Sequence, residues 1–382
     1  MAKNIVFCAD GTWNHPDQDE DKDQTPDPTN VYKLFLCLDG DLSTDTIRNA
    51  DEQEKVFVQN GKVRQVAKYI HGVGDSRNAI RKIIGGAFGA GVISRIVRGY
   101  TFISRNYEPG ADIYILGFSR GAYTARALAG LIASQGLLKK ALTKDKEDAY
   151  RFGAQAWYRY RDGKKSGKRF LSRLAEVLAD LPAFLSHGNL KDDDLVPVDG
   201  ISAVAVWDTV GALGFPKYDD EDKRIDAFRF ANTKLSGKVR NGFHALSLDE
   251  QRASFTPTLW DASPRIVQSL FPGAHADVGG GYPSANSESG LSDIALTWMM
   301  DRLTDVGVVF TPTRPLNTKP DAAAKAHMPW IQPLWLAMLT AHRAFPNGIE
   351  IHPSVTERKN AGMVRPDPSR SPEKYDPENL PR

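Results

Sequence analysis

Cysteine is nearly absent from the 382-residue sequence: there are two, Cys8 and Cys37, each inside an apolar run. A disulfide framework is therefore not expected, nor is a cysteine metal pair, and both thiols read as core residues. Charge of one sign is also missing. Lys and Arg number 49 against 47 Asp and Glu, a formal net charge of +2, so no polyelectrolyte field points to a nucleic-acid partner. No apolar run approaches the roughly 20 residues needed to cross a bilayer. The amino terminus, MAKNIVFCADGTWN, has one lysine and a short apolar run before Asp10. It lacks the longer apolar segment and small-residue cleavage site of a secretory signal. It reads as a buried strand of a cytoplasmically made protein, whose export, if any, needs no cleaved signal. No internal repeat is present, and nothing in the pattern specifies an oligomeric state.

What is present is an alternation of short β-branched runs with longer helical ones. Strands are expected at 4–10, at 63–75, in DIYILGF, in ISAVAVWD (201–208) and in RIVQSLF (265–271). Helices are expected in VYKLFLCL after a Thr29 or Asn30 cap, from Val92 to Tyr107, in RGAYTARALAGLIASQG, and in LSDIALTWMMDRL with Ser292 as cap. This order predicts an α/β fold with a mainly parallel, doubly wound sheet and right-handed crossovers. Residues 1–350 read as one such domain, with 137–200 as a helical insertion acting as a cap. The segment 351–382, rich in proline and charge, reads as a tail or surface strap.

Ligands bind such sheets at the carboxyl ends of the strands. Asp10, His71, Ser119 and Asp208 end the first four expected strands, and His275 follows the fifth. GFSRG fits G-x-S-x-G, a weak pattern alone, but here it lies between a strand and a helix, as a nucleophile elbow requires. A serine nucleophile needs a base and an acid to orient it. The chain order of α/β-hydrolases, Ser then Asp or Glu then His, selects Asp208 and His275. Asp277 competes with Asp208 as the acid or fixes its own loop. His275 is expected in a flexible glycine-rich loop. His244, opening the helix-like HALSLDEQRASF, and His71 read as pocket or packing residues. His15, His187, His327, His342 and His352 sit in loop or helix-surface contexts. The oxyanion hole would use the N–H of Arg120 and that of Gly11 or Thr12, with Asp10 fixing the loop.

Two other classes fit less well. A metal-dependent phosphoesterase would use Asp10, Asp208, His275 and Asp277, but ADGTWN lacks the second Asp of D-x-D-x-T, and no tight metal-ligand spacing exists. A non-catalytic binding module would need a broken triad, and all three residues are present. No cofactor and no metal are expected.

The segments FCADGTWN, HGVG, GFSRGAYTAR, AVWDTVGALG, HALSLDEQRASFTPTLW and FPGAHADVGGGY together resemble the DUF2235 family. That family includes the catalytic domain of Tle1-type phospholipase effectors of the type VI secretion system. The resemblance runs from about residue 3 to residue 300. It implies an α/β-hydrolase fold, lipolytic esterase activity and a triad falling on Ser119, Asp208 and His275. Secreted members are often longer, with membrane-docking modules, and this chain reads as close to the catalytic domain alone. The expected substrate is a lipid or small acyl ester, with transient membrane-surface contact. IIGGAFGAGVISRIV (83–97) and the basic, aromatic AWYRYRDGKKSGKR would cover an apolar pocket, the latter suiting an anionic head group.

Overall fold

Strand β1 (Asn4–Ala9) is buried along its whole length. Its side chains divide by parity: Ile5, Phe7 and Ala9 enter one apolar cluster, and Val6 and Cys8 the other. Strands read as unbroken apolar runs when both faces of a sheet are covered. The computed structural model describes residues 2–11, 14, 17, 19, 25–43, 52–72, 88–162, 189–210, 234–313, 318–333, 335–336 and 339–381. After β1 come β2 (Asp41–Leu42), β3 (Glu52–Gln59), β4 (Lys62–Ile70), β5 (Asp112–Phe118), β6 (Leu137–Leu138) and β7 (Leu195–Val196). Then follow β8 (Ile201–Trp207), β9 (Val239–Ser247), β10 (Ile266–Phe271), β11 (Glu350–Ile351), β12 (Met363–Val364) and β13 (Glu373–Lys374).

The main sheet runs β11-β10-β9-β8-β5-β1-β4-β3-β2. It is parallel from β11 to β4, with β3 and β2 added antiparallel at one edge. Helices α2 (Phe88–Asn106), α3 (Arg120–Gln135) and α4 (Lys146–Asp162) pack on one side. Helices α1 (Asn30–Cys37) and α6 (Gly290–Asp305) pack on the other. Among the described residues there are also two short helices, α5 (His275–Gly279) and α7 (Pro353–Asn360). This is the expected mainly parallel, doubly wound α/β architecture. Both cysteines are buried thiols outside any disulfide, with burial pushing the Cys8 thiol up. No helix among the described residues is long and apolar enough to cross a membrane.

Several local expectations change. His244 lies within β9 rather than opening a helix. That strand was concealed by Arg240, Asn241 and Gly242, which interrupt its apolar run before the buried second half. Ser289, not Ser292, precedes α6, and Ser292 Oγ donates to the Ser289 carbonyl at 2.8 Å. His275 opens helix α5 instead of lying in a loop. Helix α2 ends at Asn106, ahead of Pro109. Within 137–200, Ala156, Trp157 and Tyr160 belong to the same cluster as Ile5 and Phe7, so α4 is part of the layer over the sheet. The rest of that stretch from 163 to 188, with His187, lies outside the described residues, as do His15 and the beginning of 83–97. The carboxyl-terminal segment carries α7 and the β12–β13 hairpin, and it buries Arg358 and Asp367.

The two motif glycines are required where backbones cross. A Cβ on Gly117 would strike the Gly121 backbone, and one on Gly121 would strike the carbonyls of Ala9 and Asp10. Helix α3 therefore rests directly on the end of β1. Gly121→Ala should destabilise the fold by roughly 1–3 kcal/mol, the usual penalty of overpacking. Gly237, which has open space where its Cβ would be, supplies the near-neutral Gly237→Ala control. Urea midpoints of the two variants check the difference.

Candidate active site

The carboxyl ends of β1, β5, β8, β9 and β10 lie side by side, so their following residues converge. Ser119 sits between β5 and α3 with φ 57° and ψ −120°. A non-glycine residue in that region costs on the order of 1–3 kcal/mol and persists only where the surroundings enforce it. Here the Ser119 N–H donates to the Trp207 carbonyl at 3.1 Å, the residue before Asp208. The first N–H groups of α3, beginning with Arg120, have no acceptor within the helix and present its positive dipole end at this turn.

Asp208 is fully buried and also has positive φ, 37°. Its Oδ2 accepts from His275 Nδ1 at 2.5 Å. Its Oδ1 accepts the Ser247 N–H at 3.0 Å. Arg343 closes a fork over both oxygens, Nη1 to Oδ1 at 2.7 Å and Nη2 to Oδ2 at 2.9 Å. Burial alone would raise the Asp208 pKa, but the Arg343 guanidinium and the His275 contact hold it well below the usual carboxylate range. His275 goes the other way: burial lowers its pKa, and the Asp208 contact offsets this only in part. The imidazole is packed between Phe118, ring centres 4.6 Å apart, and the edge of Phe255 at 5.0 Å. Its backbone N–H donates to Glu250 Oε2 at 3.2 Å, and Glu250 is in turn gripped by Arg252 through Nε at 2.9 Å and Nη2 at 2.8 Å. Asp208 and His275 are thus joined. Ser119 lies next in the chain to Phe118, whose ring is tilted against His275, but its Oγ makes no hydrogen bond with another described residue.

The other candidates divide. Asp10 accepts from Thr29 Oγ1 (2.9 and 2.8 Å), Tyr69 OH (2.7 Å) and the Gly11 N–H (2.7 Å), so its carboxylate anchors its own loop. Gly11 lies against the elbow, where a Cβ would come 3.2 Å from Ser119 Cβ. Its N–H, however, is spent on Asp10, and Thr12 lies outside the described residues. His71 is half-buried just beyond β4. His244 is fully buried, accepts the Thr209 N–H at Nε2 (3.1 Å) and faces Gln268 Oε1 with Nδ1 (3.3 Å). Burial pushes its pKa down to about 3. It braces the residue after Asp208 and is no base. Asp277 accepts the Ala274 N–H at 2.8 Å and His327 Nδ1 at 2.7 Å. It fixes the α5 turn and pairs with His327, not with His275. The four residues of the phosphoesterase set are therefore not gathered, and no metal-holding group of three or more exists among the described residues. His342 is exposed, and His352 caps α7 by accepting the Ser354 N–H. Sequence reading missed Arg343, Glu250, Arg252 and His327. Only the acid–arginine alternation of "DEQR" hinted at the middle pair.

An elbow serine, a buried carboxylate–imidazole pair and a doubly wound sheet place the chain among α/β-hydrolase-like folds. It belongs to the family described as "T6SS, Phospholipase effector Tle1-like, catalytic domain", whose model matches residues 3–302. A curated relative, the uncharacterized protein YEL023C of Saccharomyces cerevisiae, is 27% identical over 271 residues, 69% of this chain and 34% of that protein. The chain thus spans about a third of that relative's length. Among solved structures, an uncharacterized protein from Pseudomonas aeruginosa aligns at TM-score 0.43 and 18% identity, over 84% of this chain and 49% of that one. The Tle1 effector bound to the VgrG spike of the type 6 secretion system aligns at TM-score 0.46 and 14% identity, over 84% and 77% of the two chains.

The Asp277–His327 pair yields a test of pH dependence. Burial would lower the His327 pKa, but the charges and hydrogen bonds of Asp277 and Glu288 raise it above its ordinary value. A raised histidine pKa gives stability that is complete below the unfolded value of about 6.5 and lost as pH rises through the folded value. The stability difference between wild type and His327→Gln should accordingly be largest near pH 6 and shrink toward pH 9. Urea denaturation across that range measures it.

Proposed function

We propose that the protein is a serine-dependent carboxylic ester hydrolase acting on lipid or other acyl esters. The observation that carries this reading is the strained Ser119 turn beside the Asp208–His275 pair joined at 2.5 Å. Ser119 Oγ attacks the ester carbonyl carbon while His275 Nε2 takes its proton. The tetrahedral oxyanion is held by the Arg120 N–H at the amino end of α3. The carbon–oxygen bond then breaks, and the leaving alcohol receives the proton from His275. Water next attacks the acyl-enzyme, gives its proton to His275, and releases the acid as Ser119 recovers its hydrogen. Asp208 stays ionised and keeps Nδ1 protonated, so that Nε2 is the working nitrogen. Catalytic hydrogen bonds often tighten only when substrate is bound, which accommodates the unmade Ser119–His275 contact.

Membership of a phospholipase effector family supports a lipid ester as substrate. So does the segment 328–340, which contains no charged residue. Within it Trp335 packs on Phe255 at 5.6 Å, and Leu336 and Leu339 are 67% and 80% exposed. This apolar strip begins one ring away from His275 and suits transient contact with a lipid surface. Export by a secretion system fits the family description.

Ser119→Ala and His275→Ala should each lower turnover of a soluble p-nitrophenyl ester by about 10⁴-fold or more, because triad members act as a unit. Near-wild-type turnover in His275→Ala would sink the base assignment, and chelator-sensitive activity would favour a metal enzyme. The double change Leu336→Asp with Leu339→Asp should leave the soluble ester turnover within about twofold and lower hydrolysis of phospholipid vesicles at least tenfold, roughly the loss of two exposed leucine anchors. Equal effects on both substrates would remove the strip from lipid contact.

A further inference from the structure

Arg343 is 7% exposed and lies about forty residues beyond the stretch that the family model matches. Every polar contact of its guanidinium terminus reaches the surroundings of one carboxylate. Nη1 donates to Asp208 Oδ1 (2.7 Å), the Ser247 carbonyl (2.8 Å) and Ser247 Oγ (2.6 Å). Nη2 donates to Asp208 Oδ2 (2.9 Å) and the Phe255 carbonyl (2.5 Å). A forked, fully enclosed guanidinium–carboxylate pair fixes the carboxylate plane in a way that an ammonium does not. Fixing that plane aims Oδ2 at His275 Nδ1.

We propose that Arg343 is a positioning residue for the Asp208–His275 pair, orienting the carboxylate and cancelling its buried charge so that His275 rests neutral. This inference depends on the triad reading above. The charge inventory around the imidazole supports it. Facing His275 are Asp208 after β8, Glu250 and Arg252 after β9, and Arg343 from the carboxyl-terminal segment. Asp277, on the same helix, is matched by His327. Two carboxylates and two guanidiniums sum to zero, so a neutral imidazole completes a balanced cluster. Without Arg343 the cluster carries one excess negative charge, which favours the imidazolium and removes the base from the resting enzyme. Orientation and charge thus make separable contributions: the first sets kcat, and the second sets the pH at which the base becomes available.

Two variants separate them, using the full chain and the pH profile of kcat/KM on a soluble p-nitrophenyl ester. Arg343→Gln removes the charge, and its acid limb should move to higher pH by about one to two units, the scale of one charge several ångströms away in a partly polar interior. Because glutamine also lacks the fork, its alkaline plateau should stay about 10- to 100-fold below wild type, as in the Lys variant. Arg343→Lys keeps the charge and loses the fork, so its acid limb should stay in place while kcat falls about 10- to 100-fold, as for lost positioning contacts. A folded Arg343→Gln protein with an unmoved acid limb, or with a uniform loss at every pH, overturns the charge role. Wild-type kcat in Arg343→Lys overturns the positioning role. Should Arg343→Gln fail to fold by circular dichroism, an acid limb displaced in the Lys variant counts against the proposal, and a retained limb with lowered kcat supports it. Ser119→Ala run alongside keeps the two readings apart. Turnover surviving in that variant defeats the triad itself, whereas a dead Ser119→Ala with an unmoved Arg343→Gln limb defeats only the inference on Arg343.

Discussion

The carboxylate of Asp208 is the point on which the site depends. It is fully buried, and a buried unpaired carboxylate costs several kcal/mol. Its partners come from three separate places, Ser247 at the end of β9, His275 at the start of α5, and Arg343, which with its own turn after β8 makes four segments. Because each partner is needed to satisfy one anion, the anion registers the four segments against each other. Positive φ at Asp208 is the local cost of turning the acid back beneath the strand ends, and its bonds to Ser247, His275 and Arg343 enforce it.

The elbow is governed by a different constraint, which is backbone proximity. Strands β1 and β5 are neighbours, and Gly117 pairs with Ala9 across them. The helix leaving β5 must pass over the end of β1, and the absence of a Cβ at Gly121 allows it to rest on the Ala9 and Asp10 carbonyls. That same crossing brings the Asp10 loop against Ser119. Asp10 then spends its carboxylate on Thr29, Tyr69 and Gly11, tying the loop to α1 and β4. Electrostatics therefore assembles the Asp208–His275 half of the site, and steric fit of bare backbone assembles the Ser119 half.

This division explains what could be read from the sequence. The parallel core strands were legible because burial on both faces leaves unbroken apolar runs, and the elbow was legible because its glycines occupy set positions. Asp208 and His275 followed from strand ends and chain order. Strand β9 was not legible, since Arg240, Asn241 and Gly242 break its apolar run, nor was the antiparallel β2–β3 edge, whose residues are mostly exposed or half-buried. His327 and Arg343 were missed for a stronger reason. A lone His or Arg in a segment without periodicity looks the same whether it is solvated or locked onto a buried acid, and only the long-range contact distinguishes them. His244 was misplaced because its apolar flank fits a helix start as well as a strand end.

Three acids, buried or half-buried, that follow β8, β9 and β10 share one arrangement. Asp208 after β8 meets Arg343, Asp249 after β9 meets Tyr375 OH at 3.0 and 2.9 Å, and Asp277 after β10 meets His327. Burial raises the Asp249 pKa to about 6 despite the Gly273 and Tyr375 hydrogen bonds, whereas Asp208 is held low by a full positive charge. The partner's chemistry thus shapes the acid's titration: a phenol leaves the Asp249 pKa raised, and a guanidinium holds the Asp208 carboxylate low. All three partners lie past residue 302, where the family match ends. The matched stretch therefore carries the elbow and the acid–imidazole pair, while the chain beyond it supplies the groups that make burying those acids affordable. The carboxylate bonded to His275 receives the guanidinium, and the acids after β9 and β10 receive a phenol and an imidazole.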